Sequence, residues 1–349
     1  MSVWSAEKAL DWYSKQGWLV GCNFLPSSSI NQIEMFQENT FDIIEIRREL
    51  SWAKDLGFNT LRVYLHDLLW QEKDQFILRF NKFLDCCKDL KIKPMIVLFD
   101  DCHYPLPQLG SQPLPIKGVH NSGWKQSPGH EIVREIASLS HSEHMPRLKT
   151  FTQEILDLYK IDTRILMWDL YNEHGQFGIG EISYTLLKNV WDWAQEVRPA
   201  QPLTSCLDGS IGDSVIALNQ KQSDIISFHI YEAMKLEPTI KELSRSGRPL
   251  MCTEYMAREY GTTFEFCLPI FKKHNIACYN WGLVAGRSQT NFSWETILQL
   301  NERRDKKEFI QDIKSLVEPE IWFHDIFRRD GSAFSNKETS LIKQILRED

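Results

Sequence analysis

The chain has 349 residues, with 40 lysines and arginines against 47 aspartates and glutamates and a net charge of -7. That balance, with no clustered basic run, excludes a strongly basic nucleic-acid binder, whose phosphate contacts need such clusters. Hydrophobic residues at 42% and charged residues at 25% are ordinary globular values and argue against general disorder, while twelve tryptophans are many for this length.

The N-terminus shows no basic segment followed by an apolar run, so no signal peptide is read and a cytoplasmic location is expected. The longest apolar stretches, such as Met95–Phe99, are strand-sized, so no membrane partner is expected. The eight cysteines form no CxxC pair and no His-Cys spacing suited to zinc. Cys22, Cys206, Cys252 and Cys278 sit in apolar runs and Cys86-Cys87 on a predicted helix, so reduced, buried thiols are expected.

Along the chain, short apolar runs alternate with helical patterns. Trp18–Phe24 is the first run. Ile43–Leu56 has helical spacing and stops at Gly57. Strand Asn59–Leu65, helix Phe76–Leu90 and strand Ile92–Phe99 follow, then a long loop, helix Pro146–Tyr159 and strand Ile165–Tyr171. Helix Glu181–Val197, strand Pro202–Leu207, a short helix near Ile211–Leu218 and strand Asp224–Tyr231 come next. Helix Pro238–Ser244, strand Pro249–Tyr255, helix Thr263–His274 and strand Ala277–Val284 complete the series. The tail holds a charged helical piece, Asn301–Leu316, and a terminal helix from Lys337.

Strands apolar on both faces and separated by helices imply a parallel sheet covered by helices. Eight such units in about 250 residues fit a closed (β/α)8 barrel, an α/β TIM barrel with extended βα loops and a short C-terminal helical tail. An open doubly wound sheet is the alternative, but no GxGxxG or GxxxxGK[ST] follows the first strand. No linker divides the chain. One domain over 1–349 is expected, with the barrel at about 15–290 and C-terminal decoration over 291–349.

Functional groups of such a barrel belong at the C-terminal ends of its strands. Those positions hold Arg62 and His66, then Asp100, Asp101 and His103, then Asn172 and Glu173. Further round come Asp208, His229 and Tyr231, Glu254 and Tyr255, and Trp281. Glu173 and Glu254 end strands four and seven, which lie on opposite sides of an eight-strand ring, so their carboxylates face each other across its mouth. A facing pair is what glycosidic cleavage needs: one group protonates the leaving oxygen, and the other attacks the anomeric carbon or activates water, depending on the gap. A carboxyl in an apolar wall suits the acid, and one beside an arginine and a tyrosine hydroxyl stays ionised. Arg62 and Tyr231 supply that second environment to Glu254.

Asn172-Glu173, Glu254 within Thr-Glu-Tyr, His229-Ile-Tyr231, Arg62-Val and Trp281 together resemble the clan A glycoside hydrolases, in particular the family 5, cellulase-like barrels, over about residues 15–290. The resemblance implies a retaining β-glycoside hydrolase working through a covalent glycosyl-enzyme, with Glu173 as acid/base and Glu254 as nucleophile. It also implies that Asn172 hydrogen-bonds the sugar 2-hydroxyl and the nucleophile, that Tyr231 and Arg62 hold the nucleophile, that Trp281 floors the −1 subsite and that His229 lines it. Two departures stand out. Tyr255-Met256 follows the nucleophile where Phe-Gly is frequent, and the third strand ends Phe-Asp-Asp-Cys-His.

Trp70, Trp124 and His103, in or near the loops after strands two and three, are counted as further substrate contacts. Trp4, Trp12, Trp52, Trp191 and Trp193 fall on helical stretches and read as structural. The loop from Asp101 to about His130 is long and rich in Pro and Gly, which is uncommon in a compact domain unless the segment is functional or disordered. Its Tyr104, His120, Asn121 and Trp124 are predicted to wall one end of a cleft, and the loop Pro26–Thr40, with Asn31 and Glu34, the other. The expected partner is an oligosaccharide or glycoside, with no cofactor and no metal. Two rival readings remain: a metal-dependent barrel hydrolase or isomerase using Asp100, Asp101, His103, Glu173, His229 and Glu254, and a non-catalytic carbohydrate-binding barrel.

Overall fold

A computed structural model describes residues 3–139, 142–207, 209–305 and 318–347. Asp208, read above as the end of the fifth strand, and 306–316 of the expected tail helix lie outside them. The eight expected strands all form: β1 Val20–Asn23, β2 Thr60–Tyr64, β3 Lys93–Asp100, β4 Met167–Asn172, β5 Leu203–Thr204, β6 Ile226–Ile230, β7 Leu250–Tyr255 and β8 Ala277–Trp281. They pair in parallel in the order β5-β4-β3-β2-β1-β8-β7-β6. The β5/β6 seam is joined by Leu207 N–H donating to Ser227 O at 2.9 Å and by the Thr204 hydroxyl donating to Ile225 O at 2.8 Å. The result is a nearly closed (β/α)8 barrel.

The helices are α1 Ala6–Ser14, α2 Gln32–Phe36, α3 Ile43–Leu56, α4 Lys73–Asp89, α5 His130–Ser138 and α6 His144–Leu158. After them come α7 Tyr184–Val197, α8 Asp213–Gln222, α9 Leu236–Leu243, α10 Phe264–Lys273, α11 Glu295–Asp305 and α12 Asn336–Arg347. Helix α3 shows why local sequence sufficed for most of them. Asp42 caps its first turn by accepting from the N–H groups of Ile44 and Glu45, and Gly57 ends it at φ +101°, a conformation that penalises residues with a Cβ. Two helices are absent from the sequence reading. Both α2 and α5 lie within stretches read as loops, and α5 has neither a side-chain N-cap bond nor a basic last turn to announce it.

Strand side chains facing outward pack with the helices in one large apolar core. A second cluster fills the N-terminal mouth of the barrel, where Trp4, Ala9 and Tyr13 around α1 meet Met95, Met167 and Met251. The Tyr13 hydroxyl fixes that plug by donating to Asn275 O at 2.9 Å. Helix α12 packs between α10 and α3, the place of the eighth barrel helix. One end of the barrel is thus filled, and polar chemistry is left to the other. The eight cysteines are unpaired and buried. Among the described residues no helix is long and apolar enough to cross a membrane.

Candidate active site

At the C-terminal mouth a cavity of about 730 Å³ opens above the ends of β3, β4, β6, β7 and β8. Glu173 and Glu254 both line it. A carboxylate oxygen of each and a ring nitrogen of His229 all lie within 4.8 Å of one another. His229, on β6, stands between the two acids. Its Nδ1 is 2.7 Å from Glu173 Oε1 and 3.5 Å from Glu254 Oε2.

Glu254 is buried and clamped. Its Oε1 accepts from Arg62 Nη1 at 2.8 Å and from the Tyr64 hydroxyl at 2.7 Å, and its Oε2 from the Tyr231 hydroxyl at 2.7 Å. Burial by itself raises this carboxyl. The charges of His229 and Arg62 and the two tyrosine hydroxyls outweigh it and hold Glu254 below the usual carboxylate range. His229 moves the other way. Burial lowers its imidazole, but the adjacent Glu254 and Glu173 carboxylates more than offset that and raise it.

Glu173 has a different setting. It follows β4 at φ +40°, a left-handed conformation rare for a residue with a Cβ. It is partly exposed to the cavity, its Oε1 is held by His229, and its Oε2 accepts from the Cys102 thiol at 3.1 Å. Gly209 leaves room for this pair. A Cβ there would stand 2.9 Å from His229 Nδ1 and 3.0 Å from Glu173 Oε1.

Arg62 is the hub of the barrel interior and is fully buried. Besides Glu254 it reaches Asp169 Oδ2 through Nη2 at 2.7 Å, Asn172 Oδ1 at 2.7 Å and Asn23 Oδ1 at 3.0 Å. Asn172 donates in turn to Asp100 Oδ1 at 2.9 Å. The bond from Asn172 to the nucleophile that the resemblance implies is not formed: the amide spans Arg62 and Asp100 instead. Trp124 and Trp281 line the cavity side by side, 5.8 Å apart between centroids, and Trp124 Nε1 donates to Asp100 Oδ2 at 2.6 Å. His103 lines the cavity against Phe177, and burial, then neighbouring His120, push its imidazole down to about 3.

Other expected contacts fall elsewhere. Trp70 is not at the site. Its indole N–H donates to Glu154 at 2.8 Å, and its ring packs on Phe76 and Phe151 beneath α4 and α6. His66 accepts from Leu68 N–H and meets Gln126 O, so it shapes the turn after β2. Asp101 accepts from Tyr171, Gly175 and Ser183, which anchors the turn after β4. Asn31 and Glu34 do not line the cavity. Asn31 donates to Gly123 O at 2.9 Å and Glu34 pairs with Arg287 at 2.8 Å, so the loop after β1 braces other loops from behind.

Tyr64 is the main omission from the sequence reading. It lies two residues after Arg62 on β2, and a strand's period of two puts both side chains on the same face. Trp294, Phe177 and His324 also line the cavity, but they come from irregular segments without a period to reveal them.

Glu173, His229 and Glu254 are the only candidate metal triad of His, Cys, Asp or Glu among the described residues. The triad fits a cation poorly. Glu254 already accepts from three donors, and one of them is the buried guanidinium of Arg62, which repels a second positive charge.

The (β/α)8 architecture is shared with solved glycosidase structures. The chain is similar in structure to the hyperthermostable endo-1,4-β-D-mannanase from Thermotoga petrophila RKU-1, with a TM-score of 0.56, 14% identity, 94% of this chain covered and 99% of that one. It is also similar to an exo-β-1,4-mannosidase from Opitutaceae bacterium strain TAV5, with a TM-score of 0.60, 17% identity and coverage of 95% and 59%. A glycoside hydrolase family 5 mannosidase from Rhizomucor miehei gives a TM-score of 0.54 at 10% identity, with 93% and 91% covered. At these identities the likeness is one of fold. No protein-family model matches the sequence, and no curated protein matches it.

Proposed function

We propose that the protein is a retaining β-glycoside hydrolase, with Glu254 as nucleophile and Glu173 as acid/base. The observation that carries this reading is the spacing and inequality of the two acids. Carboxyl groups of retaining enzymes stand about 5–5.5 Å apart, whereas inverting enzymes need about 6.5–9.5 Å to admit a water. One oxygen of each carboxylate lies within 4.8 Å of the other here, which leaves no room for a water between those two oxygens and suits the shorter, retaining arrangement. Glu254, held ionised by Arg62 and three hydroxyl or imidazole neighbours, suits nucleophilic attack on the anomeric carbon. Glu173, partly open to the cavity, gives its proton to the leaving oxygen as the C–O bond breaks. It then takes a proton from the water that cleaves the glycosyl–Glu254 ester. His229 keeps the Glu173 carboxyl oriented through both steps.

The mannose-directed names of the structural neighbours make β-mannosides the first substrates to try, alongside glucosides, xylosides and galactosides. The test is mutational. Glu254→Ala and Glu173→Ala are each expected to lose most turnover on an unactivated glycoside. Azide is expected to restore Glu173→Ala on a substrate with a good leaving group, giving the β-glycosyl azide. Wild-type turnover by Glu254→Ala would refute the assignment. The metal-dependent reading draws on the Glu173, His229 and Glu254 triad, and loss of activity on exhaustive EDTA dialysis, restored by a divalent ion, would favour it.

A further inference from the structure

Three loops lock together across one sector of the barrel mouth. The β3 loop meets the segment after β8 through several hydrogen bonds. Asn121 N–H donates to Ser288 O at 2.7 Å, and His120 N–H to the Thr296 hydroxyl at 3.0 Å. His120 Nδ1 pairs with Phe292 O at 2.8 Å. Gln289 accepts from Gly118 N–H at 2.8 Å and donates to Ile116 O and Val119 O at 2.7 and 3.2 Å. The loop after β1 supports this bridge from behind through Asn31 with Gly123 and Glu34 with Arg287. The bridge joins loops on either side of β1 and β2; no residue from the loops after those strands lines the large cavity, and the sector holds a separate small pocket of about 20 Å³, lined by Leu25, Asn121, Trp124, Trp281 and Ser288.

The blocked sector has a chemical identity. The leaving oxygen must lie by Glu173, so the aglycone extends toward Gln176, Phe177 and Gly209 after β4 and β5, which line the cavity. The glycone ring lies the other way, over Glu254 and beside Trp281 and Trp124. Directly behind those rings stands the bridge. Asn121, on the bridge, and His324, from the segment before α12, both line the cavity, and both amide atoms of Asn121 and Nε2 of His324 are buried without a protein partner. Buried polar atoms without partners are costly in a folded protein unless something else satisfies them. Burial drives His120 down to about 4 and His324 well below the usual imidazole range, so both rings are neutral. A neutral imidazole and a carboxamide offer donors and acceptors without charge, which matches sugar hydroxyls.

From this wall we infer, building on the glycosidase reading, that the enzyme is exo-acting: it receives the terminal, non-reducing sugar as a blind end, with Asn121 and His324 reading hydroxyls of that ring. An internal sugar of a polymer carries a further residue where the bridge stands, so mid-chain binding is excluded by the backbone itself.

The test first identifies the aryl β-glycoside that the wild-type enzyme hydrolyses, then follows an oligosaccharide of the same sugar labelled at its reducing end. The expected result is a ladder of labelled products, each one unit shorter, with free monosaccharide released from the first turnover. Viscosity of the corresponding polysaccharide should barely change while monosaccharide accumulates. Early labelled products of mixed short lengths, or a rapid fall in viscosity, would overturn exo action and leave the glycosidase reading standing. Failure on every aryl glycoside would overturn the glycosidase reading itself. Opening the wall gives an independent check. Gln289→Ala removes three bridge bonds from outside the cavity, and KM for the aryl glycoside should rise about five- to tenfold, with kcat little changed. An unchanged KM would show that the bridge does not shape the glycone site.

Discussion

Arg62 divides one guanidinium between two buried acids: Nη1 lies 2.8 Å from Glu254 Oε1 and Nη2 lies 2.7 Å from Asp169 Oδ2. Neither acid has another cationic Lys or Arg partner among the recorded ion pairs of the described residues, so Arg62 determines both the nucleophile's charge and the integrity of the barrel interior. Arg62→Met should therefore destabilise the fold by about 3–5 kcal/mol, the range for stranding a buried charge. Urea denaturation measures this, and a loss below about 1 kcal/mol would show that the acids escape the cost by taking up protons.

Tyr64→Phe is a milder probe of the same clamp. It removes one donor from Glu254 Oε1 and keeps the ring against Trp124 and Trp281. The Glu254 carboxyl, held low in the wild type, should titrate higher. The acid limb of kcat/KM then moves to higher pH, and kcat/KM at neutral pH falls about tenfold. An acid limb in the wild-type position would dissociate Tyr64 from the nucleophile.

Glu49 governs a pH effect remote from the cavity. It is buried on α3, where burial first, and neighbouring Glu45 after it, outweigh the Ser27 bonds and push its carboxyl up to about 7. The folded state thus binds this proton more tightly than the unfolded chain, whose glutamates titrate near about 4.3. Stability from this group is full at low pH and declines as pH rises through about 4.3 to 7. Glu49→Gln, which keeps an acceptor for Ser27, should flatten that decline and gain on the order of 2 kcal/mol at pH 8. Parallel Tm-against-pH curves for the two proteins would contradict this.

Trp70→Ala separates packing from catalysis. The ring is held by Glu154, Phe76 and Phe151, so the change should lower stability by about 2–4 kcal/mol. Neither kcat nor KM on a short aryl glycoside should move at a temperature where both proteins are folded. A KM increase would return Trp70 to the substrate path.

Asn121→Ala deletes the unpaired amide of the glycone wall. KM for the aryl glycoside should rise about fivefold or more, while the thermal midpoint falls modestly, because Asn121 sits at φ +49°, a left-handed conformation that alanine tolerates less well than asparagine. A stability loss without a kinetic effect would assign Asn121 to loop structure alone.

Much of the fold was legible in the sequence because its signals are local. A strand such as Ile165–Tyr171 declares itself by an apolar run between turns, and α3 by a periodic face with Asp42 and Gly57 at its ends. Eight such runs separated by helical patterns imply a barrel, and a barrel places residues at strand ends on one face, which is how Glu173, Glu254, Arg62, His229, Tyr231 and Trp281 could be named together. Tyr64 obeyed the same period-two rule as Arg62 and could have been added by it. Trp70 and Trp124 could not be told apart, since both sit near strand-end loops and only packing against Phe151 or against Trp281 distinguishes them.

Sequence order alone therefore determined the barrel and the chemical type of its mouth, because backbone periodicity and strand-end position are properties of neighbouring residues. Only the tertiary structure decided that Asn172 spans Arg62 and Asp100, that Cys102 and His229 hold Glu173, and that the loops after β1, β3 and β8 interlock behind Trp281. Those relationships join residues as far apart as Ile116 and Gln289, whose meeting depends on the closure of the whole ring and is encoded in no local pattern.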